Sequence, residues 1–409
     1  MKLISEISFF KFINNKSNNG EFESATQEYS ETIIEEQNIL KNQEEGEEIV
    51  ENENEPEIEK ELTETIIINE SIENIKLFGN NNNNSNNNNK KNNNNNKKSR
   101  KKRKVHENNN NKSVDVQYKK GYFINSRGMK LVCQEWIPHN PRGIVIVLHG
   151  YGDHGQTTLA EDCKIMARNG FASFIYDQQG HGLSEGVPAY IRDFDDLVED
   201  SLLFISDIKF RFPRLKRFVC CTSMGGAVGT LVSLRKPEVF DGGLILLAPL
   251  IKLDENMIPN PILVSLLTWV SKSFPTLAIV PGENVLDRSI KDPQKRVEHA
   301  NHPLTYKGRA RIGTGLAILK ATSFLQSHLE DISVPLLILH GSLDRVSSPT
   351  VSEELYKKAI SADKTLKLYP TFWHGITSEK DADIVYNDII NWMIERLNPK
   401  KDFVGSASF

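Results

Sequence analysis

The chain has 409 residues, 54 acidic against 50 basic side chains and a formal charge of -4, an average that conceals two unlike parts. Residues 1–115 are dominated by Glu, Asn and Lys and hold too little apolar surface to offset the entropy of ordering, so a disordered tail is expected there; residues 116–399 carry recurrent apolar runs, enough for one large α/β domain, with 400–409 as a short C-terminal tail. Four irregularly spaced cysteines exclude a disulfide framework and any zinc-type spacing, no run of about 18 apolar residues could span a membrane, and basic residues interleaved with aromatics, as nucleic-acid binding would need, are lacking in the folded part.

At the N-terminus, Glu6 and Lys11 interrupt the apolar residues, so the continuous core of a secretory signal is missing. With unpaired thiols this points to the cytoplasm. An acidic block, an asparagine tract and then the basic run Lys97 to Lys104 follow. In flexible surroundings such a run can be read by a nuclear-import receptor, which would add a nuclear location; the alternative is a solvated charge run.

Order is expected from residue 116. Tyr118 to Ile124 and Met129 to Trp136 flank the turn composition Asn125-Ser126-Arg127-Gly128 and predict an antiparallel hairpin. Gly143 to Leu148 is a continuous apolar run, the pattern of a strand buried on both faces. Helix over Thr158 to Asn169, strand over Phe171 to Tyr176, helix over Phe194 to Phe210, strand over Phe218 to Thr222, helix from Gly225 to Arg235 and strand over Leu244 to Ala248 continue the alternation. Residues 250–326 break it with a helical, proline-punctuated segment that predicts an inserted cap, in which Leu263, Leu266, Leu267, Val270 and Phe274 share one helical face. Strand Leu336 to His340, helix Val351 to Ile360, strand Thr365 to Tyr369 and helix Ala382 to Leu397 complete the chain. The fold class is therefore α/β, a mostly parallel central sheet with helices on both faces.

In such sheets reactive groups gather beyond the carboxyl ends of the strands. Ser223 stands between an apolar run and two glycines, the sequence form of a strand, a tight turn and a helix that lifts a hydroxyl off the sheet edge. A serine hydroxyl needs a base and a group to orient that base. His374 and Asp344 each follow a predicted strand, and the order Ser, Asp, His is that of the α/β-hydrolase fold. Taken singly, Asp344 could cap a turn before Pro349 and His374 could be a packed loop residue beside Trp373. Backbone N–H groups of Tyr151 and Met224 are the candidates for the oxyanion, where removal of one donor costs about 3 to 4 kcal/mol in comparable enzymes.

Residues 116–399 resemble the monoacylglycerol lipase family of α/β-hydrolases, including its lysophospholipase-like and caffeoylshikimate-esterase-like members. The resemblance is carried by His149-Gly150-Tyr151-Gly152-Asp153-His154-Gly155, by Asp177 to Gly186, by Ser223-Met224-Gly225-Gly226, by Leu247-Ala248-Pro249 and by Asn301 to Tyr306. It implies Ser223 as nucleophile, Asp344 and His374 as acid and base, and a lipophilic pocket beneath the cap. It also implies structural roles for His149, His154 and His181, and no metal or organic cofactor.

The expected activity is hydrolysis of monoacylglycerols or lysophospholipids through an acyl-enzyme, with peripheral membrane contact through the cap. Acyl transfer or hydrolysis of a phenolic ester would use the same residues, and a catalytically idle binding module is the alternative from another class. One position departs from the family's Gly-x-Ser-x-Gly pattern: Cys221 stands where the first glycine belongs. Its place two residues before Ser223 raises the expectation that thiol oxidation or alkylation inhibits the enzyme.

Overall fold

The structure is a computed structural model that describes residues 115–253, 260–280 and 285–397. The expected tail disorder, the basic run Lys97 to Lys104 and the C-terminal tail lie outside these residues. Eight strands form one sheet: β1 (Val116–Ile124), β2 (Lys130–Pro138), β3 (Gly143–Leu148), β4 (Phe171–Tyr176), β5 (Arg217–Thr222), β6 (Gly243–Leu247), β7 (Leu336–Gly341) and β8 (Lys364–Tyr369). Their spatial order is β1-β2-β4-β3-β5-β6-β7-β8. β1 and β2 form the predicted hairpin and β2 meets β4 antiparallel; every pair from β4 to β8 is parallel. The order reverses beside β3, where the chain winds first toward β4 and then toward β5, and such a switch point opens a crevice at the strand ends.

Continuous apolar runs make the central strands because both faces are covered. Along β5, Val219 and Cys221 join a core with Ile144, Ile146, Phe174 and Leu246, closed by helices α2 (Phe194–Arg211), α3 (Met224–Arg235) and α7 (Ile312–Ser327). Phe218 and Cys220 point the other way, to Val145, Phe171, Ile245 and Leu337 under α1 (Thr158–Arg168) and α9 (Asp383–Leu397). The side-chain alternation of one strand thus feeds two cores.

Helices α4 (Pro261–Ser271), α5 (Val285–Ser289) and α6 (Pro293–Asn301) lie in the predicted insertion. Asn260 caps α4 by accepting from Leu263 N at 2.8 Å, with Pro261 in the first turn. The apolar stripe read on this helix is only half inward: Leu267 and Val270 are half-buried, whereas Leu263, Leu266 and Phe274 are exposed. α7, at the end of the insertion, does the opposite and buries Ala317, Ala321 and Leu325 in the main core. No helix among the described residues is long and apolar enough to cross a membrane.

Candidate active site

Ser223 occupies the turn between β5 and α3 with φ 53°, a left-handed conformation that a residue other than glycine adopts only when its surroundings hold it there. Its N–H donates to Leu247 O of β6 at 3.0 Å, and its carbonyl accepts from Gly226 N and Leu250 N. Glycine lets the helix start this close to the sheet. A Cβ on Gly225 would fall 2.2 Å from Leu148 O of β3, and one on Gly226 would fall 2.6 Å from Pro249 Cβ. Helix α3 is therefore wedged between the ends of β3 and β6, which leaves Ser223 at their rim.

The loop after β3 runs alongside. A Cβ on Gly150 would come within 3.3 Å of Ser223 Cβ and 3.9 Å of its Oγ, so the Gly150–Tyr151 turn lies against the nucleophile candidate. Neither Tyr151 N nor Met224 N donates a hydrogen bond among the described residues. Unpaired N–H groups beside a serine are what an oxyanion requires. His149 fixes this loop: its Nε2 accepts from Gln178 N at 2.8 Å, which places the proton on Nδ1, 2.8 Å from Gly150 O. Asp177, at the end of β4, ties the same region together by accepting from Gly155 N and Leu183 N. His154 and His181 are buried, and burial pushes them down to about 4 and about 3 respectively. These are the structural positions the motif comparison implies.

Asp344 and His374 come into direct contact, with His374 Nδ1 2.7 Å from Asp344 Oδ2. Asp344 sits in the turn after β7, where its Oδ1 accepts from Val346 N at 2.6 Å and Ser347 N at 3.1 Å. His374 follows β8, in a loop held by Glu379, whose Oε1 accepts from Trp373 N at 2.7 Å. Gly341 lets the two loops touch, because a Cβ there would lie 2.3 Å from Trp373 O. Burial opposes the charge on Asp344, but hydrogen bonds from His340 and His374 outweigh it and hold the carboxyl well below the usual carboxylate range. Ser223 Oγ makes no hydrogen bond to His374. The structure therefore pairs Asp344 with His374 and sets Ser223 at the same edge of the sheet, without a direct serine–histidine bond.

Two residues escaped sequence reading. His340 Nε2 reaches Asp344 Oδ2 at 2.9 Å, and Ser347 Oγ lies 3.0 Å from the same oxygen and 3.2 Å from His374 Nδ1. A histidine closing an apolar strand beside a candidate acid was the available signal. Cys221, by contrast, corrects an expectation. Its side chain is fully buried, burial raises its thiol well above the usual range, and its Sγ packs where a Cβ on Gly229 would be 2.4 Å away. Reagents meet neither an exposed sulfur nor a thiolate, so direct thiol inhibition at Cys221 is not supported. The glycine missing from the turn has its counterpart in Gly229, in the second turn of α3.

Residues 139–381 match the family model described as serine aminopeptidase, S33. The chain is 32% identical over 293 residues to caffeoylshikimate esterase of Arabidopsis thaliana, covering 70% of this chain and 88% of that protein. The chain belongs to this α/β-hydrolase family. More narrowly, it stands with the monoacylglycerol lipase and lysophospholipase-like members, and with them among the carboxylic ester hydrolases. Monoglyceride lipase of Homo sapiens is 29% identical to it over 67% of this chain and 90% of the human protein. The fold of this α/β-hydrolase is shared by a solved soluble variant of monoglyceride lipase from Saccharomyces cerevisiae, with a TM-score of 0.57 at 24% identity over 70% of this chain and 98% of that one.

Proposed function

We propose that this α/β-hydrolase cleaves carboxylic esters through a covalent acyl-enzyme on Ser223, with monoacylglycerols or lysophospholipids as substrates. The observation that carries the reading is the 2.7 Å contact between His374 Nδ1 and buried Asp344, at the sheet edge where the strained Ser223 turn also lies. With Nδ1 held by the acid, Nε2 of His374 is the nitrogen left to serve the serine. Ser223 Oγ attacks the ester carbonyl while His374 takes its proton, and the tetrahedral oxyanion is received by the N–H groups of Tyr151 and Met224. Collapse expels the alcohol, which receives the proton from His374. Water then repeats the sequence on the acyl-enzyme and releases the acid.

The relatives named monoglyceride lipase support a glyceride substrate, and the relative named caffeoylshikimate esterase supports the phenolic-ester alternative. Helix α4 supports peripheral contact with a lipid surface, since Ile262 is 83% and Trp269 70% exposed in the cap. A cytoplasmic location, with nuclear import through Lys97 to Lys104, is the remaining part of the proposal; a fluorescent reporter fused to residues 90–112 tests the import.

The test is a panel of monoacylglycerols, lysophospholipids and aryl esters, with and without a competing alcohol, against wild type, Ser223→Ala and His374→Ala. Turnover and fluorophosphonate labelling by wild type alone is the expected result. Labelling that survives Ser223→Ala, or a wild type that neither labels nor turns over, would refute it and favour an idle binding module.

A further inference from the structure

We propose that His340 is a positioning residue for the acid of the active site, a second imidazole that holds the same oxygen of Asp344 as His374. The inference rests on the reading of Ser223, Asp344 and His374 as nucleophile, acid and base, and it concerns a residue outside that trio. His340 is the penultimate residue of β7, with its side chain completely buried. Its Nε2 faces two acceptors, Asp344 Oδ2 at 2.9 Å and Ser347 O at 3.2 Å. A backbone carbonyl can only accept, so Nε2 carries the proton. In the neutral ring Nδ1 is then an acceptor, and Ser352 Oγ of α8 (Pro349–Lys358) lies 2.7 Å from it. A hydroxyl on a helix thus sets the tautomer of a histidine that donates to the acid.

The consequence falls on one oxygen. Oδ1 of Asp344 is anchored by two backbone N–H groups, which fixes the position of the carboxylate. Oδ2 receives two imidazole N–H groups, from His340 at 2.9 Å and from His374 at 2.7 Å. The Ser347 hydroxyl lies within donating reach of the same oxygen at 3.0 Å and of Ala248 O at 3.2 Å. The groups that reach Asp344 are therefore His340 from β7, His374 from the loop after β8, and Ser347 from its own turn. His340 shares this oxygen with His374 and draws off part of the charge that the base would otherwise receive. Loss of that donor would leave Oδ2 a stronger acceptor for His374 alone, which favours the imidazolium, and would also loosen the angle at which the base is held.

His340→Phe keeps the volume and removes both nitrogens, His340→Gln returns an amide N–H near the position of Nε2, and Ser352→Ala removes the partner that sets the tautomer. In the full-length protein, with ester hydrolysis followed across pH, His340→Phe is expected to lower kcat by about ten- to a hundredfold, the range for a hydrogen bond to a charged group, with KM held within about twofold. The acid limb of kcat/KM should move to higher pH. His340→Gln should recover most of kcat and return the limb toward wild type, and Ser352→Ala should shift the limb in the same direction by less.

A merely structural histidine would change melting temperature without moving the acid limb, and that result overturns the proposal. Should His340→Phe not fold, Ser352→Ala decides, and an unchanged limb and kcat there would overturn it. Ser223→Ala and His374→Ala, run alongside, separate the two levels. If they abolish turnover while His340→Phe matches wild type, only the role of His340 falls; if they do not, the assignment of the site falls first.

Discussion

The packing of Cys221 against α3 makes a quantitative prediction. Gly229→Ala places a methyl 2.4 Å from Cys221 Sγ and 3.2 Å from Leu244 Cδ1, both fully buried. Forcing a methyl into a filled core costs about 1 to 3 kcal/mol, against a gain of about 1 kcal/mol for alanine over glycine in a helix interior. The single variant should therefore be neutral to destabilised by about 2 kcal/mol. In a Cys221→Ala background the sulfur is gone, and the nearest atom of residue 221 is its Cβ at 3.4 Å, an ordinary contact. There the helix gain dominates and Gly229→Ala should be neutral or stabilising. The coupling between the two sites should be about 1 to 3 kcal/mol, read from urea unfolding of wild type, both single variants and the double variant. Fluorophosphonate labelling rates of the four proteins would report whether the strain reaches Ser223, two residues beyond the cysteine. Equal effects of Gly229→Ala in both backgrounds would refute the account of how the chain tolerates Cys221.

Gly225→Ala puts a methyl 2.2 Å from Leu148 O and 2.8 Å from His149 O, backbone atoms that cannot swing aside; a loss of more than about 4 kcal/mol, or no folded protein, should be visible in thermal melts. Asp162 lies on the buried face of α1, where Tyr386 of α9 reaches it, and burial raises its carboxyl from 3.8 to about 7 while the hydrogen bond from Tyr386 at 2.6 Å opposes the rise. Because the folded value is the higher one, its contribution to stability is complete below about pH 4 and is lost as the pH rises to about 7. Asp162→Asn should therefore gain on wild type between pH 4 and pH 8 by on the order of 4 kcal/mol, and stability curves that run parallel would contradict this. Replacing Ile262 and Trp269 together by Ser should weaken sedimentation with phospholipid vesicles while leaving hydrolysis of a short, water-soluble ester unchanged.

The sheet was legible because its strands are local signals: Gly143 to Leu148 and Phe171 to Tyr176 are apolar throughout, which only a strand covered on both faces explains. The Ser223 turn was legible for the same reason, since Gly225 and Gly226 record in sequence the close approach of α3 to two strands. What escaped depends on contacts across chain distance. A helical stripe states that a helix has an apolar face and not what that face meets, so α7 joins the core while much of the stripe on α4 is left in solvent. The compensation of Cys221 by Gly229 links a strand to a helix. His340 and Asp344 lie only four residues apart, but their contact exists because the turn after β7 curls back, a geometry that Gly341-Ser342-Leu343 does not announce.

The point at which the insertion leaves the sheet also bears on how such a protein can change. β6 and β7 are parallel, hydrogen-bonded neighbours, paired from Leu244 with Leu336 to Leu247 with Leu339, so the chain between them leaves the carboxyl end of β6 and crosses back, through α7, to the amino end of β7. The entropy of closing such an excursion grows only slowly with its length, and neither strand's register depends on what the excursion contains. The part of the segment that precedes α7 can lengthen, shorten or be exchanged while α7 stays in the core and Ser223, Asp344 and His374 keep their places at the strand ends. Grafting the part of the insertion before α7 from one relative onto the sheet of another is the experiment the topology invites, with substrate preference as its readout.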